Sequence, residues 1–397
     1  MKRILIFSHA LELGGAERAL LGLLEAIDYS HYEVDLFLMR HIGELINDIP
    51  EKVNLLPENP SYSSLAVPFS SVLKKRQVRV ALGRLNGKCK AKKREKQLGI
   101  VSDSGIQLEY SHKHTNWAMP MINEKQYDLA ISFLTPHYFV ANKVKANTKI
   151  AWIHTDYSKV KIDVESELKM WNQYDYIASI SESVTESFLS VFPELKEKIR
   201  LIQNMMPVKC IKRQIQEFNV SSEMLEDGSI KLLSIGRFCT AKNFDNVPGI
   251  CRRIRGNGID VKWYLIGYGG DEELIRKKIK ESEMEDYVII LGKKENPYPY
   301  ISACDIYVQP SRYEGNSVTV REAQLLNKPV IITDYPTSKS QLEDGVDGIV
   351  VPIENDKCAK GICKIILNQK QQERLIENTK KRSYANISEI EKIYDLL

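Results

Sequence analysis

The stretch DIYVQPSRYEGNSVTVREAQLLNKPVIIT, residues 305–333, decides the fold. DIYVQP (305–310) and PVIIT (329–333) have the length and apolar character of buried strands, and the stretch between them carries a helical pattern. Strand, helix and strand in that order give parallel strands joined by a crossover helix. Outward from it the second half repeats the alternation, with strands KLLSIG (231–236), VKWYLIG (261–267), YVIILG (287–292) and GIVVP (348–352) separated by helical stretches. That makes one complete six-stranded doubly wound unit. The first half reads the same way through RILIFS (3–8), YEVDLFLM (32–39), DLAISFL (128–134), KIAWIH (149–154), DYIASIS (175–181) and IRLIQN (199–204).

A chain of 397 residues, 43% hydrophobic, is long enough for two such domains. The α/β reading is therefore two facing Rossmann-like doubly wound domains with a cleft between their strand carboxyl ends. The first spans 1–206, the second 207–375, and 376–397 is a C-terminal helix, with the boundary near Met206 and Pro207. Residues 58–127 are less regular and read as an elaborated, mobile part of the first domain.

The N-terminal apolar stretch meets charged and Gly-rich sequence too soon for a signal peptide or anchor, and no run of about 18 apolar residues follows. The seven cysteines are scattered without a CxxC pair, against both a disulfide framework and structural zinc. A reducing cytoplasm is the expected compartment. The net charge of +4 hides an uneven distribution, since residues 74–96 carry eleven Lys or Arg against Glu95 alone. Interleaved with Val78, Val80, Leu82 and Leu85, that block suits the anionic inner face of the cell membrane. A solvated loop and a nucleic-acid contact are the other readings, and nothing outside the block favours nucleic acid.

The chemistry-bearing motifs follow strand ends, where ligands of open α/β sheets bind. In SRYEGNSVTVREA, Gly315 permits a tight turn, and Asn316 and Ser317 can open a helix whose free N–H groups attract phosphate. Glu314 stands at the turn and Glu322 up to about 12 Å further along a helical rise. One carboxylate can take sugar hydroxyls and the other ribose hydroxyls, with a diphosphate between. In SIGRFCTAKNF, Arg237 and Lys242 lie in a loop between strand and helix, and both can reach one diphosphate and neutralise a departing nucleotide. Gly14 and Gly15 separate the first strand from a helix without forming GxGxxG, so a dinucleotide fingerprint is poorly supported. His154 ends the strand KIAWIH with Asp156 near enough to orient its ring, and His9 follows the first strand. No DxD at a strand end and no ligand cluster calls for a metal or other cofactor.

Together GGAER (14–18), His154, SISES (179–183), GRFCTAKNF (236–244), the Glu314-x7-Glu322 pair and NKPVIIT (327–333) resemble the retaining GT-B glycosyltransferases of family four, the group one glycosyltransferases of bacterial polysaccharide assembly. The resemblance covers nearly the whole chain. It implies a hexosyltransferase that uses a nucleoside-diphosphate sugar, a UDP-sugar first among them, with a glycan or lipid-linked acceptor in capsule, exopolysaccharide or O-antigen synthesis. It further implies that Arg237 and Lys242 hold the diphosphate, Glu314 the transferred sugar and Glu322 the ribose, that Gly14 and Gly15 line the cleft, and that His154 sits by the donor sugar. Retention then proceeds by front-side attack, and the final helix returns to the first domain. Where many members read EGFGL this chain has EGNSV, and IQNMMP (202–207) replaces a PNG-like segment. An inverting enzyme with His9 as base, a nucleotide-sugar hydrolase or epimerase, and a nucleic-acid-binding protein remain the alternatives.

Overall fold

In the computed structural model, which describes residues 1–100, 105–315 and 317–397, the chain forms two units, one of Met1–Pro207 with Asn386–Leu397 and one of Val208–Ala385. The first holds a sheet of β1 (Lys2–Ser8), β2 (Tyr32–Leu38), β3 (Asn54–Leu55), β4 (Gln126–Ser132), β5 (Lys145–Ile153), β6 (Tyr176–Ser179) and β7 (Ile199–Leu201). Their order is β3-β2-β1-β4-β5-β6-β7, and every paired neighbour is parallel. Ile4 and Ile6 of β1 join Leu20, Leu24 and Ile131 on one face, while Leu5 and Phe7 join Phe37, Tyr62 and Phe139 on the other. Burial on both faces is why RILIFS is a continuous apolar run rather than an alternating one.

The second unit holds β8 (Ile230–Ile235), β9 (Val261–Ile266), β10 (Val288–Gly292), β11 (Ile306–Gln309), β12 (Val330–Thr333) and β13 (Ile349–Val351), in the order β10-β9-β8-β11-β12-β13. Renumbered from its own first strand this is 3-2-1-4-5-6, the doubly wound order. In each unit the order reverses beside the first strand, between β1 and β4 and between β8 and β11. Helices leave these two strands for opposite faces, which opens a crevice at their carboxyl ends. The register of β8 on β9, from Ile230 opposite Val261 to Ile235 opposite Ile266, ends both strands level. The loops beyond them cross so closely that a Cβ on Gly267 would lie 1.9 Å from the Gly236 carbonyl oxygen, and glycine is required there.

Residues 58–127 depart from the expected irregular region. They contain helices Pro60–Ser63, Phe69–Lys74, Val78–Leu98 and Gly105–Thr115. The basic block is thus largely one 21-residue helix. Val80, Ala81, Gly83, Gly87 and Ala91 form its buried side. A Cβ on Gly83 would come 2.8 Å from Thr115 Cα, and one on Gly87 would come 2.6 Å from the Tyr110 carbonyl oxygen. Small residues at four-residue spacing let the two helices pack backbone to backbone.

The segment 376–397, expected as one helix, is divided. Helix Gln369–Lys381 stays in the second unit, with Leu375 and Thr379 buried and Arg382 paired with Asp347 and Glu343 just beyond its end. The chain rejoins the first unit at Asn386. There Ile390 and Ile393 enter the core, Tyr394 stacks on Tyr32 with ring centroids 4.4 Å apart, and the Gln203 N–H donates to Glu389 Oε2 at 2.8 Å.

Candidate functional site

In the second unit the loops after β8 and β11 are fastened to each other. Asn243 takes a left-handed conformation at φ 61, which asparagine tolerates, and its side-chain amide donates to the Pro310 carbonyl at 2.8 Å. Arg312 forks onto Asp245 at 2.9 and 2.8 Å, and also donates to the carbonyls of Thr240 and Ala241. A planar bidentate pair of this kind fixes geometry as well as charge.

The fastening brings Lys242 to Glu314. Lys242 Nζ donates to Glu314 Oε1 at 2.5 Å, and Ser311 Oγ donates to the same oxygen at 2.6 Å. The two side chains are 19% and 10% exposed. Lys242 covers Gly236 on the way, where a Cβ would stand 3.0 Å from its Cε. Arg237 lies in the same loop and is exposed. A cation engaged with a carboxylate and a second cation open to solvent thus flank the crevice beside β8.

Other expected residues are placed differently. Gly315 has open space where a side chain would stand. Asn316 lies outside the described residues. Ser317 occupies the N-cap position of helix Val318–Leu325, but its side chain does not cap, and its backbone N–H already donates to Gln341 Oε1 at 2.7 Å. That N–H is therefore not the free phosphate donor expected. Glu322 is fully buried and accepts a hydrogen bond from the Tyr298 hydroxyl at 2.8 Å. Ser311, Arg312, Asp245 and Tyr298 were not legible as site residues. Ser311 and Arg312 carried a signal, standing three and two residues before Glu314.

In the first unit Gly14 is the extended N-cap of helix Gly15–Ala26. A Cβ there would fall 2.0 Å from Glu17 Oε2, so the Glu17 carboxyl folds over the glycine turn. Burial raises that carboxyl above its ordinary range. His154 packs against Phe133 at 4.7 Å and stacks on Trp152 at 6.3 Å between centroids. Burial pushes it down to about 4, so the ring is neutral near pH 7. Asp156 does not orient it. Its carboxylate instead takes the Ser158 N–H and hydroxyl at 3.0 and 2.6 Å, capping the turn Tyr157–Lys159. His9 is also lowered, by burial and then by Arg40. Among the described residues no group of three His, Cys, Asp or Glu is arranged to hold a metal ion, and no helix is long and apolar enough to cross a membrane.

Residues 215–382 match the family described as glycosyl transferases group 1. The N-acetylgalactosamine-N,N'-diacetylbacillosaminyl-diphospho-undecaprenol 4-alpha-N-acetylgalactosaminyltransferase of Campylobacter jejuni is 24% identical over 368 residues, 90% of this chain and 87% of that one. The amylovoran biosynthesis glycosyltransferase AmsK of Erwinia amylovora is 26% identical over 40% of each chain. Among solved structures, Anabaena Alr3699/HepE in complex with UDP and glucose superposes with a TM-score of 0.66 at 15% identity, covering 100% of this chain and 99% of its own. A Staphylococcus aureus TarM mutant bound to UDP superposes at 0.65 and 14% identity, covering 100% and 99%. These likenesses give the fold as GT-B.

Proposed function

We propose, on the match of residues 215–382 to the group 1 glycosyl transferases, that the chain transfers a sugar from a UDP-sugar to a lipid-linked glycan with retention at the anomeric carbon. The observation that carries this reading is the Lys242–Glu314 contact at the carboxyl ends of β8 and β11, with Arg237 exposed in the same loop. In the proposed cycle the donor diphosphate draws Lys242 from Glu314 and is clamped between Lys242 and Arg237. The two cations neutralise the leaving nucleotide as the glycosidic bond stretches. Glu314, released from Lys242, is left to accept hydroxyls of the transferred sugar, and Glu322 meets the ribose once the Tyr298 hydroxyl yields. Gly315 and Ser317 are assigned to the sugar end, and Gly14, Gly15 and His154 stand as further candidates for contact with the donor. The departing phosphate helps deprotonate the acceptor hydroxyl, and no protein nucleophile is needed. No metal or other cofactor enters the scheme.

The acceptor is proposed to be held at the inner face of the cell membrane, with the protein docked there peripherally. Phe69, Leu73, Val78, Leu82 and Leu85 are 42 to 56% exposed on and before the basic helix. Apolar side chains among so many cations suit insertion into an anionic surface.

The test is to incubate the protein with UDP-sugars and polyprenyl-diphosphate-linked saccharides and to read the anomeric coupling of the product by NMR. A product with the donor's configuration supports the reading. The opposite anomer overturns retention and favours the inverting scheme with His9, and free sugar alone indicates a hydrolase.

A further inference from the structure

Beyond the ends of β4 and β5, in the first unit, lies a cavity of about 190 Å3. It is smaller than the roughly 300 to 1,000 Å3 usual for drug-sized ligands, and so suits a single sugar ring. Helix Gly105–Thr115 supplies one wall, Thr135–Tyr138 after β4 another, and Thr155–Ile162 after β5 a third. Leu108, Val160, Ile162 and Met170 make much of the lining apolar.

Glu109 stands in that wall at 8% exposure. Its Oε1 accepts from the hydroxyls of Tyr138 and Ser166, both at 2.5 Å. Its Oε2 is buried and has no hydrogen-bond partner among the described residues. A buried carboxyl oxygen without a donor is costly and uncommon, so the site is incomplete as it stands. The polar groups beside it are engaged elsewhere in the structure. Glu167 Oε2 is taken by the Tyr157 hydroxyl at 3.0 Å, His137 Nδ1 by Ser132 Oγ at 2.8 Å, and Lys113 Nζ donates to Ser166 Oγ. A ligand that brings the missing donor and also presents an apolar group would complete both this oxygen and the remaining wall.

We propose that this cavity is the acceptor-sugar subsite and takes an N-acylated amino sugar, whose amide N–H donates to Glu109 Oε2 while its acyl methyl rests on Leu108, Val160, Ile162 and Met170. The inference rests on the reading of the chain as a glycosyltransferase acting on a glycan. A plain hexose supplies a hydroxyl donor but leaves the apolar wall uncovered, and an amino sugar with a free ammonium does the same. Glu109→Gln reverses the hydrogen bond. With Oε1 still accepting from Tyr138 and Ser166, the amide NH2 must occupy the Oε2 position and faces the ligand's N–H donor to donor.

The test uses the full chain and the methyl glycosides of N-acetylglucosamine, N-acetylgalactosamine, glucosamine and glucose, titrated by saturation-transfer NMR. At least one N-acetyl glycoside is expected to bind about fivefold or more tighter than glucose or glucosamine, with its acetyl methyl the most strongly saturated group. Glu109→Gln should weaken that binding about tenfold or more. Leu108→Trp, placed at a rim position 56% exposed and so harmless to folding, should abolish it. UDP binding, assigned to the loops after β8 and β11, should be unchanged in both variants, neither of which alters those loops. Equal binding of glucose, binding unaffected by Leu108→Trp, or no binding of either N-acetyl glycoside overturns the proposal. If Glu109→Gln fails to fold, Leu108→Trp decides. Should the wild type ignore UDP yet hold the N-acetyl glycoside, the transferase reading fails and the subsite stands.

Discussion

Replacing Lys242 by methionine separates the structural part of the Lys242–Glu314 contact from its part in turnover. Methionine keeps an unbranched stem over Gly236 and removes only the charge and its 2.5 Å hydrogen bond. Glu314, 10% exposed, is left with the Ser311 hydroxyl. Losing a hydrogen bond between charged groups costs about 1.5 to 3 kcal/mol. For a unit of about 180 residues that lowers its melting transition by about 3 to 12 °C. Loss of a donor aimed at developing charge should cut kcat by about 100- to 1,000-fold. Calorimetric melting, with the second unit's transition read separately, and initial rates at 20 °C, where the variant is folded, give the two quantities. Adding Glu314→Gln relieves the unpaired carboxylate and should restore most of the stability, while turnover stays lost. A Lys242→Met enzyme within about threefold of wild-type kcat, or a double variant that regains activity, would refute the reasoning.

Three further outcomes are expected. Gly87→Val drives a side chain into the Tyr110 carbonyl, 2.6 Å from the new Cβ, and should destabilise the first unit by about 1 to 3 kcal/mol, read as faster proteolysis within 78–115. Burial raises Glu167 to about 7. A carboxyl raised in the folded state contributes stability that is present below its unfolded value and is lost as pH rises through about 7, so Glu167→Gln should gain on the wild type in melting temperature between about pH 4.5 and 7. A constant difference across that range would remove Glu167 from the account. Leu73, Leu82 and Leu85 replaced together by serine should release the protein from phosphatidylglycerol vesicles without moving its melting temperature, since all three are at least half exposed. Unchanged sedimentation would end the membrane reading.

Sequence patterning revealed what is buried on two sides or stands directly after a strand. RILIFS and KLLSIG are legible because parallel strands covered on both faces must be apolar throughout. β3 is not, because two residues carry no period. The helix Val78–Leu98 was masked by its own cations, since its packing signal is the small series Gly83, Gly87 and Ala91 rather than an apolar stripe. Arg237, Lys242 and Glu314 could be singled out as candidates because each lies within seven residues of a strand end. The Arg312–Asp245 fork could not, because its partners are 67 residues apart and meet only when β8 and β11 pair. Asp156 looked like a partner for His154 from proximity alone, but the Asp-x-Ser spacing serves a turn cap instead. The completed bonds of Ser317 and Glu322 depend on Gln341 and Tyr298, each about two dozen residues away in sequence.

The most direct measurement is the binding of a panel of nucleotide sugars, by thermal shift and calorimetry, to the wild type and to Arg237→Ala. Arg237 is exposed, so its loss should not disturb folding. One UDP-sugar is expected to stabilise the wild type, by about 2.7 kcal/mol at a hundredfold excess over Kd, and to lose most of that effect in the variant. Stabilisation by none of the panel, or equal stabilisation of both proteins, would contradict the assignment of the β8 and β11 loops as the donor site.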